Sequence, residues 1–318
     1  MMASAEDLVV LIAAAGHQCT FIIPHLYEKV RLRLVAHSDK SVERLSSQWP
    51  KAEVVKADLV ELSHCSRVLE GASTVYHVGP SIHPHEKEIG LYMVTAAKKE
   101  MRKPGSRFKH FVLASVLDTQ IRKMYNHDDK RYVEEALILS ELDYTILQPG
   151  DFFDMAFPVQ VWAKMENPVR HAVTHQRARS AFVVLKDLGE AAAKVILERE
   201  RHYQAQYPLV SIGSITYGEA TTQVGQALGK EITVKEYTIE EGAGMVLDSI
   251  FGDRNTVEPE TRDKMEIMIY FYARRGILGN PNVLEWLLGR KPTSLLDYVA
   301  EEREGTNKPE HFTNQFKV

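Results

Sequence analysis

The chain has 318 residues, 44% hydrophobic and 26% charged, with a formal net charge of -4 and a pI near 6.4. That is ordinary globular composition, long enough for one large domain or two smaller ones. There is no basic excess to point to nucleic acid or an anionic membrane. No run approaches the ~20 apolar residues of a transmembrane helix, and two cysteines, Cys19 and Cys65, are too few for a disulfide scaffold or a four-cysteine zinc site.

Glu6 and Asp7 precede the first apolar run, with no basic region before it. A secretory signal is therefore not expected; a cytoplasmic protein with reduced thiols is. Residues 8–12 (LVVLI) read as a buried strand, Ala13-Ala14-Ala15-Gly16 as a small-residue turn, and His17 onward as a helix start. Residues 21–29 continue the helical pattern, with Pro24 expected to kink it or to sit in a first turn. A strand over 31–37, a turn at Ser38-Asp39-Lys40 and a helix over 41–48 follow, stopped by Trp49-Pro50. Residues 52–59 form a third strand ending at Asp58, 62–69 a helix, and 74–80 a fourth strand. The spacing then predicts a helix over 86–101 with Ile89, Met93, Ala96 and Ala97 on one stripe, a strand over 109–115, a helix over 127–141 and a strand over 143–150.

Strands separated by helices of about a dozen residues imply right-handed crossovers and a parallel sheet. The expected fold is α/β, a Rossmann-type doubly wound parallel sheet over residues 1–150, followed by a smaller helix-rich substrate lobe over 151–318, partly interleaved with the sheet. In that lobe, 182–188, 207–211 and 231–237 read as strands. Residues 189–198, 217–228, 239–251, 262–275 and 283–288 read as helices, and the tail from about Glu302 as polar and partly loose. Ligands of such sheets collect beyond the carboxyl ends of the strands, which gathers Gly16, His37, Asp58, His77, Ser115 and Gln148 around one crevice.

The residues in order resemble the NmrA-like, atypical short-chain dehydrogenase family, in its fungal form. Ala13-Ala14-Ala15-Gly16-His17-Gln18-Cys19 stands where the family has a Gly-Ala-Thr-Gly-His-Gln-Gly type loop. Ala57-Asp58-Leu59, the segment from Asn126 to Glu135, and Tyr144-Thr145-Ile146-Leu147-Gln148-Pro149 resemble its third-strand end, helix and sixth-strand signatures. Phe182 to Glu190, Arg275-Gly276-Ile277-Leu278-Gly279-Asn280 and Trp286-Leu287-Leu288-Gly289-Arg290 resemble its C-terminal lobe. The resemblance implies NADP or NAD as cofactor. It leaves three functions open: an NAD(P)-dependent oxidoreductase tailoring a polyketide-like or aromatic metabolite, a non-redox isomerase, dehydratase or cyclase, and a non-catalytic dinucleotide sensor.

On that reading Gly16 lets the backbone approach a pyrophosphate, and the amides of His17 and Gln18 favour the anion. Ala13 is tolerable at the first glycine position if its φ is negative, and Cys19 needs room where the third glycine allows close packing. His37 stands where an arginine commonly reads the 2′-phosphate, with Lys40 as a nearby charge. Asp58 and Leu59 border the adenine, or Asp58 caps a helix. His77 and Gln148 join the cofactor set. Lys130 is assigned to chemistry or cofactor contact, with Ser115 and His127 as further catalytic candidates and His83 as another proton shuttle. The tyrosine expected four residues before Lys130 is replaced by Asn126, and Tyr125 is one residue away, about 100° around a helix. His83-Pro84-His85 lacks regular metal spacing, so no metal site is read. Phe152, Phe153, Phe157, Trp162, Tyr270 and Tyr272 are core or the apolar wall of a pocket. The expected partner is a small molecule, neither nucleic acid nor membrane, and the oligomeric state is left open.

Overall fold

A computed structural model of the chain describes residues 2–305. Its first half alternates without interruption: β1 (Leu8–Leu11), α1 (His17–Leu26), β2 (Arg31–Ala36), α2 (Asp39–Gln48), β3 (Glu53–Lys56), α3 (Leu62–Val68), β4 (Thr74–Val78), α4 (Glu86–Met101), β5 (His110–Ala114), α5 (Tyr125–Ile138) and β6 (Tyr144–Pro149). There follow β7 (Asp151–Phe152), α6 (Phe153–Ala156), α7 (Val159–Lys164), β8 (Val169–Ala172), β9 (Arg179–Val183), α8 (Leu185–Glu198) and β10 (Ala205–Leu209). The rest is β11 (Ile212–Thr216), α9 (Tyr217–Leu228), β12 (Thr233–Glu236), α10 (Ile239–Phe251), α11 (Pro259–Arg274), α12 (Asn282–Leu288) and α13 (Leu295–Glu304). The chain divides into two compact units. One comprises residues up to Gln120, His127–Gln148 and Leu188–Tyr207; the other Ile121–Asn126, Pro149–Asp187 and the chain from Pro208.

The first unit is built on a seven-stranded sheet ordered β10-β6-β5-β4-β1-β2-β3. β1 pairs in parallel with β2 and β4, and β5 with β4 and β6, so the strand order reverses between β1 and β4. That is the doubly wound arrangement, with its crevice at the carboxyl ends of the strands. β1 is buried throughout, which explains its unbroken apolar run. The stripe of α4 packs Met93, Ala96 and Ala97 against Val75, Phe111 and Ile146 of the sheet, joined by Val133 and Leu137 of α5. Helices also approach closely where glycine allows it. A Cβ on Gly90 would lie 2.3 Å from Val133, and one on Gly189 would lie 2.6 Å from the Phe21 carbonyl.

The second unit holds a three-stranded sheet, β11-β9-β7, and a parallel pair, β12-β8. Its core joins Phe153, Phe157, Trp162, Phe182, Tyr217 and Tyr298. Arg170 lies buried against the rings of Tyr217 and Phe157, at 4.9 and 5.3 Å, while Tyr217 donates to Asp151 at 2.5 Å. The aromatic set therefore divides. Phe153, Phe157 and Trp162 are core, Phe152 and Tyr272 are half-buried, and Tyr270 is exposed.

Several element boundaries differ from the sequence reading for local reasons. The Ser38 side chain accepts from the Ser41 amide, so α2 starts at Asp39 instead of Ser41 and takes in the expected turn. Pro24 lies in the interior of α1, which runs past it to Leu26, and the Tyr27 amide still donates to the Ile23 carbonyl at 2.9 Å. The expected strand 182–188 stops at Val183. The Asp154 carboxylate accepts from the Leu185 amide at 2.9 Å and starts α8 there, so Leu188 is helical. α5 ends at Ile138, short of Glu141, and the Ser140 hydroxyl donates to the Leu137 carbonyl in the turn that follows. The tail read as loose from Glu302 instead begins in α13, where Glu302 is buried; residues 306–318 lie outside the described residues.

Candidate functional site

Every residue expected from the sequence to hold the cofactor or act in catalysis lies in the first unit. β1 delivers the chain into the turn 12–16, and Gly16 occupies the N-cap of α1. Its amide donates to the Ala13 carbonyl at 2.8 Å, closing the turn. A Cβ there would lie 3.1 Å from that same carbonyl, so glycine keeps the turn open to a close neighbour. No side chain caps the helix at Gly16. The first turn thus presents the positive end of its dipole without a built-in acceptor, the setting that suits a phosphate. Gln18 is fixed there by the buried Tyr76, whose hydroxyl donates to its Oε1 at 2.7 Å.

Two expectations for this loop change. Ala13 has φ +52°, the left-handed region, so the condition for an unstrained alanine, a negative torsion, is not met. Cys19 fits without displacing the helix: it is buried, with its Sγ donating to the Ile12 carbonyl at 3.4 Å. Burial pushes its thiol up to about 12, which makes it a packing residue rather than a redox group.

His37 and Asp58 are exposed at the ends of β2 and β3. Asp58 does not cap α3, whose N-cap is Glu61. Its Oδ1 instead accepts from the Val60 amide at 3.1 Å, and Leu59 packs on the core. Lys40 lies in the first turn of α2. One turn on, Arg44 donates from Nη2 to the Ala15 carbonyl at 2.7 Å. The reading from sequence missed Arg44. Its signal was the four-residue spacing from Lys40, which puts both on one helix face.

Beyond β4, β5 and β6 the polar side chains are largely committed to one another. Lys130 forms an ion pair with Glu86, which opens α4; their side chains are 15% and 4% exposed, so the pair is buried rather than solvated. Glu86 also accepts from the Ile82 amide at 3.0 Å and would be 3.2 Å from a Cβ on Gly79, so it seats the loop 79–85. Ser115 donates to Glu134 at 2.5 Å, Thr119 to the same carboxylate at 2.8 Å, and Gln148 to it at 2.9 Å. Glu134 is buried and lies four residues after Lys130 on α5. Neither Glu86 nor Glu134 was singled out from the sequence, although the spacing from Lys130 marked the second.

The two histidines differ from expectation. His127 is buried, and burial, then the charge of Lys130, lowers its ring to about 3. The ring is therefore neutral near pH 7. His77 is buried at an edge-on contact to Phe111, with ring centroids 6.1 Å apart, and is lowered to about 3 by burial. Its side chain belongs to the packing of the sheet, which leaves only its backbone for a cofactor. Tyr125 is exposed, and Asn126 donates to Met268 Sδ at 3.0 Å within the second unit. Among the described residues no group of three or more His, Cys, Asp or Glu side chains is placed to hold a metal ion. No helix among them is long and apolar enough to cross a membrane.

Chemically, the arrangement offers a glycine-lined helix N-terminus for a phosphate and a rim of cations at β2. Near β5 it offers hydroxyl and amide groups already oriented by a carboxylate, and no phenol at position 126.

No match appears among curated protein sequences. Solved structures share the fold at low identity. One is an NADPH-dependent quinone oxidoreductase from Escherichia coli, 18% identical over 92% of this chain and 98% of that one, TM-score 0.70. Another is the triphenylmethane reductase of Citrobacter sp. complexed with NADP(H), 17% identical over 92% of this chain and 99% of that one, TM-score 0.73. A third is NmrA, a negative transcriptional regulator in complex with NAD, 14% identical over 96% of this chain and 99% of that one, TM-score 0.70. The NmrA-like family model matches residues 5–299, nearly the whole length. With its strand order, open helix N-terminus and C-terminal unit, the chain belongs to the NmrA-like family.

Proposed function

We propose that the protein is an NAD(P)-dependent reductase that delivers hydride to a conjugated, electron-poor small molecule such as a quinone, an enone or a polyketide-like aromatic. The observation that carries this reading is the pairing of polar groups around β5 and α5. Lys130 is held by Glu86 and Ser115 by Glu134, and position 126 has no tyrosine. Reduction of an isolated ketone needs a proton donor at the developing alkoxide. A conjugated acceptor spreads the new charge over its own π system and takes its proton from water. The names of the quinone and triphenylmethane reductases that share the fold support an acceptor of this type.

The residues present fit a dinucleotide. Gly16 leaves the room a Cβ would fill, α1 has no side-chain cap, and Lys40 and Arg44 bring charge to the end of β2. When bound, the nicotinamide supplies the hydride. Gly16, His17 and Gln18 would hold the pyrophosphate, Asp58 and Leu59 the adenine side, and Lys130 the ribose hydroxyls. Lys130 would do so only as part of its pair with Glu86. The same pairing weakens a non-redox isomerase or dehydratase, since the Lys130 ammonium is committed to Glu86 and the Ser115 hydroxyl to Glu134.

The test is titration of the full chain with NADPH and NADH, followed by turnover with a panel of quinones and enones. Binding of either nucleotide, with oxidation of the reduced cofactor by at least one quinone, is the expected outcome. Absence of binding at millimolar nucleotide would end the reading. Binding without turnover across the panel would favour a dinucleotide sensor, the second reading, which the NmrA regulator's fold and the committed polar groups also support.

A further inference from the structure

Strands β5 and β6 lie side by side with Ala114 opposite Leu147, and the Ser115 amide donates to the Leu147 carbonyl at 2.8 Å. One residue further on, Ser115 and Gln148 stand next to each other at the carboxyl ends of the two strands, where ligands of such a sheet gather. Facing them from α5 is the carboxylate of Glu134, 6% exposed. Its Oε1 accepts from Ser115 Oγ at 2.5 Å and from Gln148 Nε2 at 2.9 Å, and its Oε2 accepts from Thr119 Oγ1 at 2.8 Å. The same Gln148 nitrogen lies 3.4 Å from Thr119 Oγ1. All four residues belong to the first unit.

Hydrogen-bond polarity follows from this arrangement. A carboxylate only accepts, and a serine or threonine hydroxyl has a single proton to give. Ser115 and Thr119 have each given theirs to Glu134. The carboxylate also fixes the Gln148 amide, since the reversed amide would set oxygen against oxygen. The Gln148 nitrogen is thus directed at Glu134 and Thr119. What remains to the group are lone pairs, on Ser115 Oγ and on Gln148 Oε1, and among the described residues no donor reaches either. Ser115 is buried and Gln148 half-buried, so a ligand atom arriving here leaves water behind, and a mismatched oxygen finds no substitute partner.

We infer that Glu134 makes the ends of β5 and β6 an acceptor-only site, which takes a hydrogen-bond donor of a bound molecule and turns away a bare carbonyl oxygen. This rests on the cofactor reading above and deepens it by stating the polarity of the group that is recognised. Two donors have that chemistry: a hydroxyl on the conjugated substrate, and the carboxamide NH2 of a bound nicotinamide. In either case Glu134 is a positioning residue. It acts by aiming the lone pairs of Ser115 and Gln148. Without the carboxylate the Ser115 hydroxyl is free to rotate and donate, and the polarity of the site is no longer fixed.

The test is calorimetric titration of the full chain with two matched pairs of ligands. The first pair is NADP+ or NAD+, whichever binds more tightly, and its 3-acetylpyridine analogue, in which a methyl group replaces the amide nitrogen. The second, titrated with that nucleotide present, is 4-hydroxychalcone and its 4-methoxy ether, an enone with and without the donor. One hydrogen bond in a site closed to water corresponds to about tenfold in affinity. The natural chain is expected to favour the donor-bearing member of at least one pair by about tenfold. A preference among the nucleotides identifies the carboxamide, and one among the chalcones the substrate hydroxyl. Glu134→Gln keeps the side-chain volume but turns one of its oxygens into a donor, and is expected to bring that ratio to near one. Ser115→Ala, which leaves Glu134 two of its donors, is expected to do the same, with circular dichroism and urea midpoints to show that both variants fold. A merely structural role for Glu134 would move the midpoint and both members of a pair together. No preference within either pair of the natural chain, or a preference that a folded variant retains, would overturn the inference while leaving the cofactor reading in place. Binding of neither nucleotide would overturn both.

Discussion

Ala13 stores strain at the entrance of the site. A non-glycine residue at φ +52° costs roughly 1–2 kcal/mol relative to glycine, against roughly 0.5–1 kcal/mol of extra chain freedom that glycine loses on folding. Ala13→Gly is thus expected to stabilise the fold by about 0.5–1 kcal/mol, read as a higher urea midpoint. A lower midpoint would show that the methyl makes contacts that outweigh the torsion. At Lys130 the expected sign is the reverse. Removing its ammonium leaves Glu86 buried without its partner, a loss of about 3 kcal/mol for a pair so little exposed. Lys99→Ala, on the same α4 as Glu86, is expected to stay within about 0.5 kcal/mol. Equal effects in the two variants would count against a structural ion pair. A binding defect in Lys130→Ala must therefore be compared with its stability before it is assigned to cofactor contact.

Two helices were legible from their own start signals. α9 and α10 match the sequence reading at both ends. Thr216 with Glu219, and Thr238 with Glu241, form capping boxes whose two hydrogen bonds fix the first residue. Boundaries set by distant residues were not legible. α8 begins where Asp154 reaches the Leu185 amide, and no window around residue 185 contains that information. The site was partly legible for the same reason. Gly16 follows from its local turn, but the partners of Lys130 and Ser115 come from α4 and α5 through tertiary contact. The Arg275-Gly276 segment shows a motif whose cause became visible only in three dimensions. Gly276 has φ +68°, and a Cβ there would fall 1.5 Å from the Arg179 carbonyl. Gly276→Ala is expected to destabilise the second unit by about 3 kcal/mol or more, since backbone must move to admit the methyl. A midpoint close to that of the natural chain would refute this.

At the scale of the molecule, acid response follows from three buried rings. His77, His110 and His127 are each lowered to about 3 by burial, so the folded chain holds them neutral. The unfolded chain takes up these protons near pH 6.5, so stability is full above that value and declines as pH falls toward 3. The loss is about 2 kcal/mol for each ring at pH 5. Urea midpoints at about pH 7.5 and pH 5 should differ by several kcal/mol in stability; midpoints that coincide would mean the rings are accessible. The two compact units also share one polypeptide that passes between them repeatedly, at residues 120, 126, 148, 187 and 207. β6 reaches the end of its span at Pro149, yet its outer neighbour β10 begins only at Ala205.

That late strand sets a schedule for synthesis. At the usual ribosomal rate of roughly 5–20 residues per second, the edge of β6 waits on the order of 3–12 seconds for its partner. During that interval it presents a bare row of backbone donors and acceptors to any other nascent chain. Slower decoding between codons 150 and 205 should lengthen the exposure and lower soluble yield, with the finished protein unchanged.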